Sequence, residues 1–181
     1  MTYLIRLCIS QSLTIVRRHP PTLHDVRGRL HGRSDVETAR IDDVIDGIKD
    51  ARGAIVSFPF VDNKQKVCSQ HFGALQRFFP CFEAIIAANS ASPPFAIGNA
   101  ITIADVLLAE LVESTMEAFA STFGASAADE VLKPFPRLHA LHSYVIALPA
   151  IVKFKQSDNY MPFPAGEVGI AYVHNVRTVM N

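Results

Sequence analysis

The chain carries no net charge, because 17 lysines and arginines balance 17 aspartates and glutamates. That balance offers no general electrostatic grip on nucleic acid or on an anionic membrane, both of which are held by excess positive charge. No apolar run approaches the roughly 20 residues that span a bilayer. The first ten residues are apolar but short, without a small-residue cleavage site, and read as a strand instead of a signal peptide. Cysteine is scarce, with only Cys8, Cys68 and Cys81. An odd count without metal-ligand spacing argues against a disulfide framework and fits a reducing, cytoplasmic compartment. Cys68 and Cys81 stand among apolar neighbours and are expected in the core as inert thiols. Internal repeats and low-complexity tracts are absent. What the chain has in quantity is hydrophobic side chain, 49% of 181 residues. That is enough for a real core in one domain or two small ones, and too much for a disordered chain.

The sequence is organised around residues 97–108, Ile-Gly-Asn-Ala-Ile-Thr-Ile-Ala-Asp-Val-Leu-Leu. Thr102 and Asp105 have the spacing of a capping box, in which the hydroxyl and the carboxylate each take a backbone N–H. Ile101 and Val106 are placed to close a hydrophobic staple over it. Val106, Leu107, Leu108, Leu111 and Val112 then predict a nearly all-buried helix running to about Phe119.

Other elements follow in order. Residues 3–9 form a β-type run. Gln11 and Ser12 come next, where a strand gives way to a helix; free N–H groups there suit a carboxylate, although an ordinary helix cap has the same look. Pro20 and Pro21 stop that helix. Residues 17–33 hold Arg17, Arg18, Arg27, Arg29 and Arg33 with His19, His24 and His31 between them. With no interleaved aromatics to stack on bases, this reads as a solvated linker. Ser34 and Glu37 repeat the capping-box spacing. Val36, Ile41, Val44, Ile45, Ile48 and Ile55 form one apolar face after it, and Asp42, Asp46 and Asp50 an acidic one.

A second long helix is expected over residues 64–89, with Val67, Phe72, Leu75, Phe78, Phe79, Phe82, Ile85 and Ile86 inward and a kink or break at Pro80. Beyond the central helix, short helices are expected over 127–132 and 135–147 and from Pro149, then an amphipathic one from Val168. His139 and His142 are three apart and could share a helix face, but no third ligand is suitably placed, so no metal site is assigned.

Gly98, the Thr-Ile-Ala-Asp string and the apolar helix after it resemble the core of the C-terminal domain of glutathione transferases. The helix with Asp46, the Phe135-Pro136-Arg137-Leu138 stretch and Leu148-Pro149 are also similar to that family in order and spacing, over about residues 35–155. The nearest flavour is the tyrosine-type cytosolic classes, sigma, alpha, mu and pi.

The resemblance implies a mainly α fold, a helical bundle like the family's C-terminal domain over 34–181. Residues 1–33 would be a short β/helix remnant of the thioredoxin-like domain plus a linker. It implies conjugation of the glutathione thiol to hydrophobic electrophiles by an intact form, with glutathione as co-substrate and no cofactor. By the same resemblance Gln11 and Ser12 would hold the γ-glutamyl end of glutathione. Asp46 would cross the interface of a homodimer to the amino group of glutathione in the other subunit, a carboxylate against an ammonium. The family's catalytic tyrosine or serine has no counterpart, since Tyr3 lies only eight residues before Gln11. No catalytic residue is therefore assigned. The other readings are a non-catalytic helical module that binds hydrophobic ligands or a partner subunit, and an unrelated bundle. C-terminal segments in the family cover the substrate pocket; for Tyr160, Phe163 and Tyr172 packing into the body of the protein is the expectation.

Overall fold

The computed structural model describes residues 30–91 and 93–180. The strand expected at residues 3–9, Gln11, Ser12 and the basic stretch up to residue 29 lie outside them. The described residues form seven α-helices and one 3-10 turn, with no strand among them.

Helix α1 spans Asp35–Arg52, and Ser34 caps it by accepting the Glu37 N–H at 3.2 Å. The returning arm differs from the expected box: the Glu37 carboxylate takes the Arg33 N–H at 2.6 Å, not that of Ser34. Gly32, at φ 87°, turns the chain so that this reach is possible, and a Cβ there would lie 2.8 Å from Glu37 Cβ. Acidic residues in the first turn and Lys49 and Arg52 in the last suit the helix dipole. Ile41, Val44, Ile48 and Ala51 are buried. Val36 is not; it is 64% exposed, because it lies about 140° around the helix from Ile41. Ile55 is buried, but in the 3-10 turn Ile55–Phe60 that follows.

Helix α2 spans Lys64–Ala88 and starts with Asn63 accepting the Lys66 N–H at 2.9 Å. It passes through Pro80 as one element. Pro80 and Gln76 are both exposed, so the carbonyl that proline leaves unpaired faces solvent. Two expectations fail on this helix. Phe72 is 41% exposed while His71, one residue before it, is fully buried. Cys81 is exposed on the Pro80 side of the helix, and of the two described cysteines only Cys68 is a core thiol.

Helix α3, Ile103–Phe123, is the hub. It touches α1, the 3-10 turn, α2, α4 and α5. Ala104, Leu108, Ala109, Leu111, Val112, Ala118 and Phe119 are buried along it, and each large side chain so buried contributes about 1.5–3 kcal/mol. It continues one turn past the expected end and stops at Gly124, whose φ of 96° suits glycine. The chain then folds into α4, Ala125–Leu132, α5, Pro136–Ile146, and α6, Pro149–Lys155, the last two with proline in the first turn. Helix α5 is capped from another element: Glu83 of α2 accepts the Arg137 N–H at 2.9 Å and the Leu138 N–H at 3.0 Å.

Helix α7, Gly166–Met180, returns to the 3-10 turn. Phe163 packs 5.3 Å from Phe58, and Tyr172 5.8 Å from Phe60. Close approach is built on Gly169, where a Cβ would stand 2.5 Å from the Pro164 carbonyl oxygen. No described helix is long and apolar enough to cross a membrane.

Candidate functional site

Asp105 is fully buried and accepts three hydrogen bonds. One carboxylate oxygen takes the Thr102 N–H at 2.7 Å and the Thr102 hydroxyl at 2.8 Å; the other takes the Ala96 N–H at 2.7 Å. The capping box read from the sequence is present, and its carboxylate also fixes the loop ahead of the helix. Burial pushes the Asp105 pKa up, opposed by the hydrogen bonds from Ala96 and Thr102. With its acceptor positions turned inward, Asp105 organises the hub and is shielded from a ligand.

Asp46 has the opposite setting. It lies on the outer face of α1 with its side chain 74% exposed, and accepts from Lys49 at 2.7 Å. Asp42 and Asp50, one turn to either side, are also exposed. The structure therefore does not bring Asp46 together with Thr102 and Asp105: one group faces outward and the other is sealed in the core. Gln11 and Ser12 lie outside the described residues. His139 is exposed and His142 buried, so the two do not present a common surface. Tyr160 packs edge-on to Phe154 at 5.8 Å, and with Phe163 and Tyr172 it joins the body of the protein.

Three polar groupings inside the bundle escaped the sequence reading. Arg52 at the end of α1 pairs with Glu110 of α3. His71 Nε2 meets Thr115 Oγ1 at 2.9 Å, while that hydroxyl donates to the Leu111 carbonyl at 2.8 Å. Burial lowers the His71 pKa to about 4; the Ala51 backbone opposes this and the Arg52 charge adds to it. The third grouping gathers Glu113 and Glu117 of α3, His142 of α5, Lys155 of α6 and Tyr160. Lys155 pairs with Glu113, both about three-quarters buried. Burial and the neighbouring Glu113 push Glu117 up, and burial with both glutamates pushes Tyr160 to about 12. The signal was available, since Glu110, Glu113 and Glu117 interrupt an otherwise apolar helix, but only contact with other helices gives them partners.

The family model described as "Glutathione S-transferase, C-terminal domain" matches residues 49–158. Among curated proteins, glutathione S-transferase A4 of Homo sapiens is 25% identical over 150 residues, covering 81% of this chain and 63% of that protein. Glutathione S-transferase 3 of Gallus gallus is 30% identical over 128 residues, covering 69% of this chain and 51% of that protein. This chain thus spans about half to just under two thirds of these relatives. Among solved structures, NaGST-2 aligns with a TM-score of 0.58 at 20% identity, over 73% of this chain and 62% of that one. Na-GST-3 of the hookworm Necator americanus, described as monomeric, aligns with a TM-score of 0.59 at 21% identity, over 74% and 63%. These two likenesses bear on the fold.

Proposed function

The chain belongs to the glutathione S-transferase family through its C-terminal helical domain, and we propose that its function is conjugation of the glutathione thiol to hydrophobic electrophiles. The observation that carries this reading is that the family match spans the whole Asp105-capped hub and, of the helices packed on it, all of α2, α4 and α5. The unrelated-bundle reading falls with that match. In the reaction the glutathione thiol gives its proton to solvent or a base, the thiolate forms a carbon–sulfur bond at an electrophilic carbon, and with an aryl halide the carbon–halogen bond breaks and the halide leaves with its electron pair. A free cysteine-type thiol has a pKa of about 8.5, so a hydroxyl or cation beside it is needed to raise the thiolate fraction at neutral pH. We assign no described side chain to that step.

Binding of glutathione would rest on Gln11 and Ser12 at its γ-glutamyl end. Asp46 would take the ammonium of glutathione held by a second copy of the chain in a homodimer. The exposure of Asp46 supports that role, because a carboxylate 74% open is reachable across an interface. Its bond to Lys49 is an exposed pair, worth at most about 1 kcal/mol, and is easily exchanged for another ammonium. No cofactor beyond the co-substrate is proposed, and the place of action is the cytoplasm, in keeping with the sparse, odd cysteine count.

The test is calorimetric titration of the chain with glutathione, with conjugation to a halonitrobenzene followed in the same preparation. Binding with turnover would support the proposal and mean that a group of this chain activates the thiol. Binding without turnover would make the chain a non-catalytic binding module, and absence of both would overturn the proposal.

A further inference from the structure

His142 is 6% exposed, and its Nε2 is buried without a hydrogen-bond partner. A buried ring nitrogen left unpaired is a standing cost, which a folded protein ordinarily relieves. The groups around it come from every neighbouring element. Helix α3 brings Glu113, with Glu117 one turn beyond, and α6 brings Lys155, already paired with Glu113. His139 lies on its own helix. The segment after α6 brings Tyr160, whose ring lies 5.8 Å from Lys155 Nζ. Of the other charges on the packed elements, Glu83 of α2 is engaged on the α5 N-terminus and Glu130 of α4 with Lys133.

We infer that His142 is a proton-operated latch: taking up a proton releases α6, the segment after it and α7 from the bundle. The geometry gives the reason. In the packed state Glu113 already holds one cation, Lys155, in a part-buried space. A second cation on His142 would sit beside Lys155, lose its hydration, and find no acceptor at Nε2. Moving α6 outward, with Tyr160 beside Lys155, takes the competing ammonium away from His142. Tyr160 is the first ring of the stretch that leads through Phe163 to the contact of α7 with Phe60, so the motion reaches the whole C-terminal segment.

The sign follows from the same environment. Burial holds His142 below the ordinary histidine value; Glu113 opposes this, while Lys155 and His139 add to it. The released state has a solvated histidine, pKa about 6.5, so acidification from pH 7.5 to 5.5 favours release by up to about tenfold.

Hydrogen exchange on the full chain at those two pH values tests this, after correction for intrinsic exchange rates, comparing residues 149–180 with α1 and α3. Wild type is expected to lose protection up to tenfold in residues 149–180 relative to the hub, and His142→Leu to abolish that difference. Lys155→Met should shrink the pH response of residues 149–180, because with the competing cation gone Glu113 favours a charged His142 in the packed state as well. An unchanged pH response in His142→Leu would overturn the latch. Acid loss of protection in residues 149–180 that His71→Leu removes and His142→Leu leaves would overturn it too, since that is global unfolding driven by His71. Should His142→Leu not fold, Lys155→Met decides: a pH response in residues 149–180 as large as in wild type would overturn the latch.

Discussion

Asp105 accepts the backbone N–H of Ala96 at 2.7 Å, nine residues back along the chain. The carboxylate that starts the central helix therefore also holds the loop that delivers the chain to it. Gly98, at φ 71°, lets that loop double back, with Asn89 donating to the Phe95 and Gly98 carbonyls at 2.9 and 2.7 Å. Helix start and loop shape are one structure, built on a single buried side chain.

Removal of Asp105 should accordingly cost more than an ordinary cap. Thr102→Ala is expected to lower stability by about 1 kcal/mol. Asp105→Ala leaves the Ala96 and Thr102 N–H groups buried without an acceptor and should cost about 3 kcal/mol. Urea midpoints of the two variants check the order, and equal losses would remove the loop-anchoring role.

Acid sensitivity should carry the mark of His71. Its pKa is about 4 in the folded chain, against an ordinary 6.5. Above pH 6.5 both states are neutral and nothing is lost. Between 6.5 and 4 the unfolded chain takes up a proton that the folded chain refuses, so stability falls with pH, by up to about 3 kcal/mol. Asp105, raised by burial, works in the opposite sense at the acidic end. The measurement is therefore the difference between wild type and His71→Leu, in which Asp105 cancels. The variant should lose less stability between pH 7 and 4.5; parallel curves would contradict the assignment.

Glu83→Ala should unseat the start of α5, because two N–H groups lose a shared acceptor on another helix. The expected loss is about 1 kcal/mol, the size of a local cap. Glu83→Gln should recover part of it through the amide oxygen, and a thermal melt of both variants separates capping from packing.

Two glycines on helices should respond oppositely to alanine. At Gly73 of α2 a Cβ meets nothing within 4 Å, so Gly73→Ala should stabilise the protein by about 0.5–1 kcal/mol. At Gly169 the Cβ would lie 2.5 Å from the Pro164 carbonyl oxygen, so Gly169→Ala should loosen α7. Proteolytic cleavage within α7 should rise in Gly169→Ala and stay unchanged in Gly73→Ala.

Asp46→Ala should leave the urea midpoint within about 0.5 kcal/mol of wild type, since an exposed i,i+3 pair is all it breaks. Under the proposed function it should weaken glutathione binding in a dimer and not in a monomer. Asp42→Ala and Asp50→Ala, on the same exposed face, tell a specific contact from a general acidic field.

Much of the helical layout was legible in the residues. Ser34 and Thr102 stand where helices begin, and Pro136 and Pro149 in first turns. These are local effects, settled by a side chain and a backbone group a few residues apart, so they can be read along the chain. The apolar periodicity likewise singled out Ile41, Val44, Leu75, Leu108 and Leu111, all buried. It failed at Val36, 64% exposed, and at Phe72, 41% exposed at the edge of the stripe although its ring lies 6.4 Å from Phe119. Periodicity reports a stripe and not its edges.

The sequence by itself determined where the first helix and the hub start, the Thr102–Asp105 box at the centre, and the family resemblance carried by the order of these features. Tertiary structure alone decided the partners of polar side chains within the stripe. Glu83 caps a helix 54 residues away, Arg52 meets Glu110, His71 meets Thr115, and Lys155 closes on Glu113. A charged residue on an apolar helix face is buried only when another helix supplies its counterpart, and no spacing along the chain encodes which helix that is.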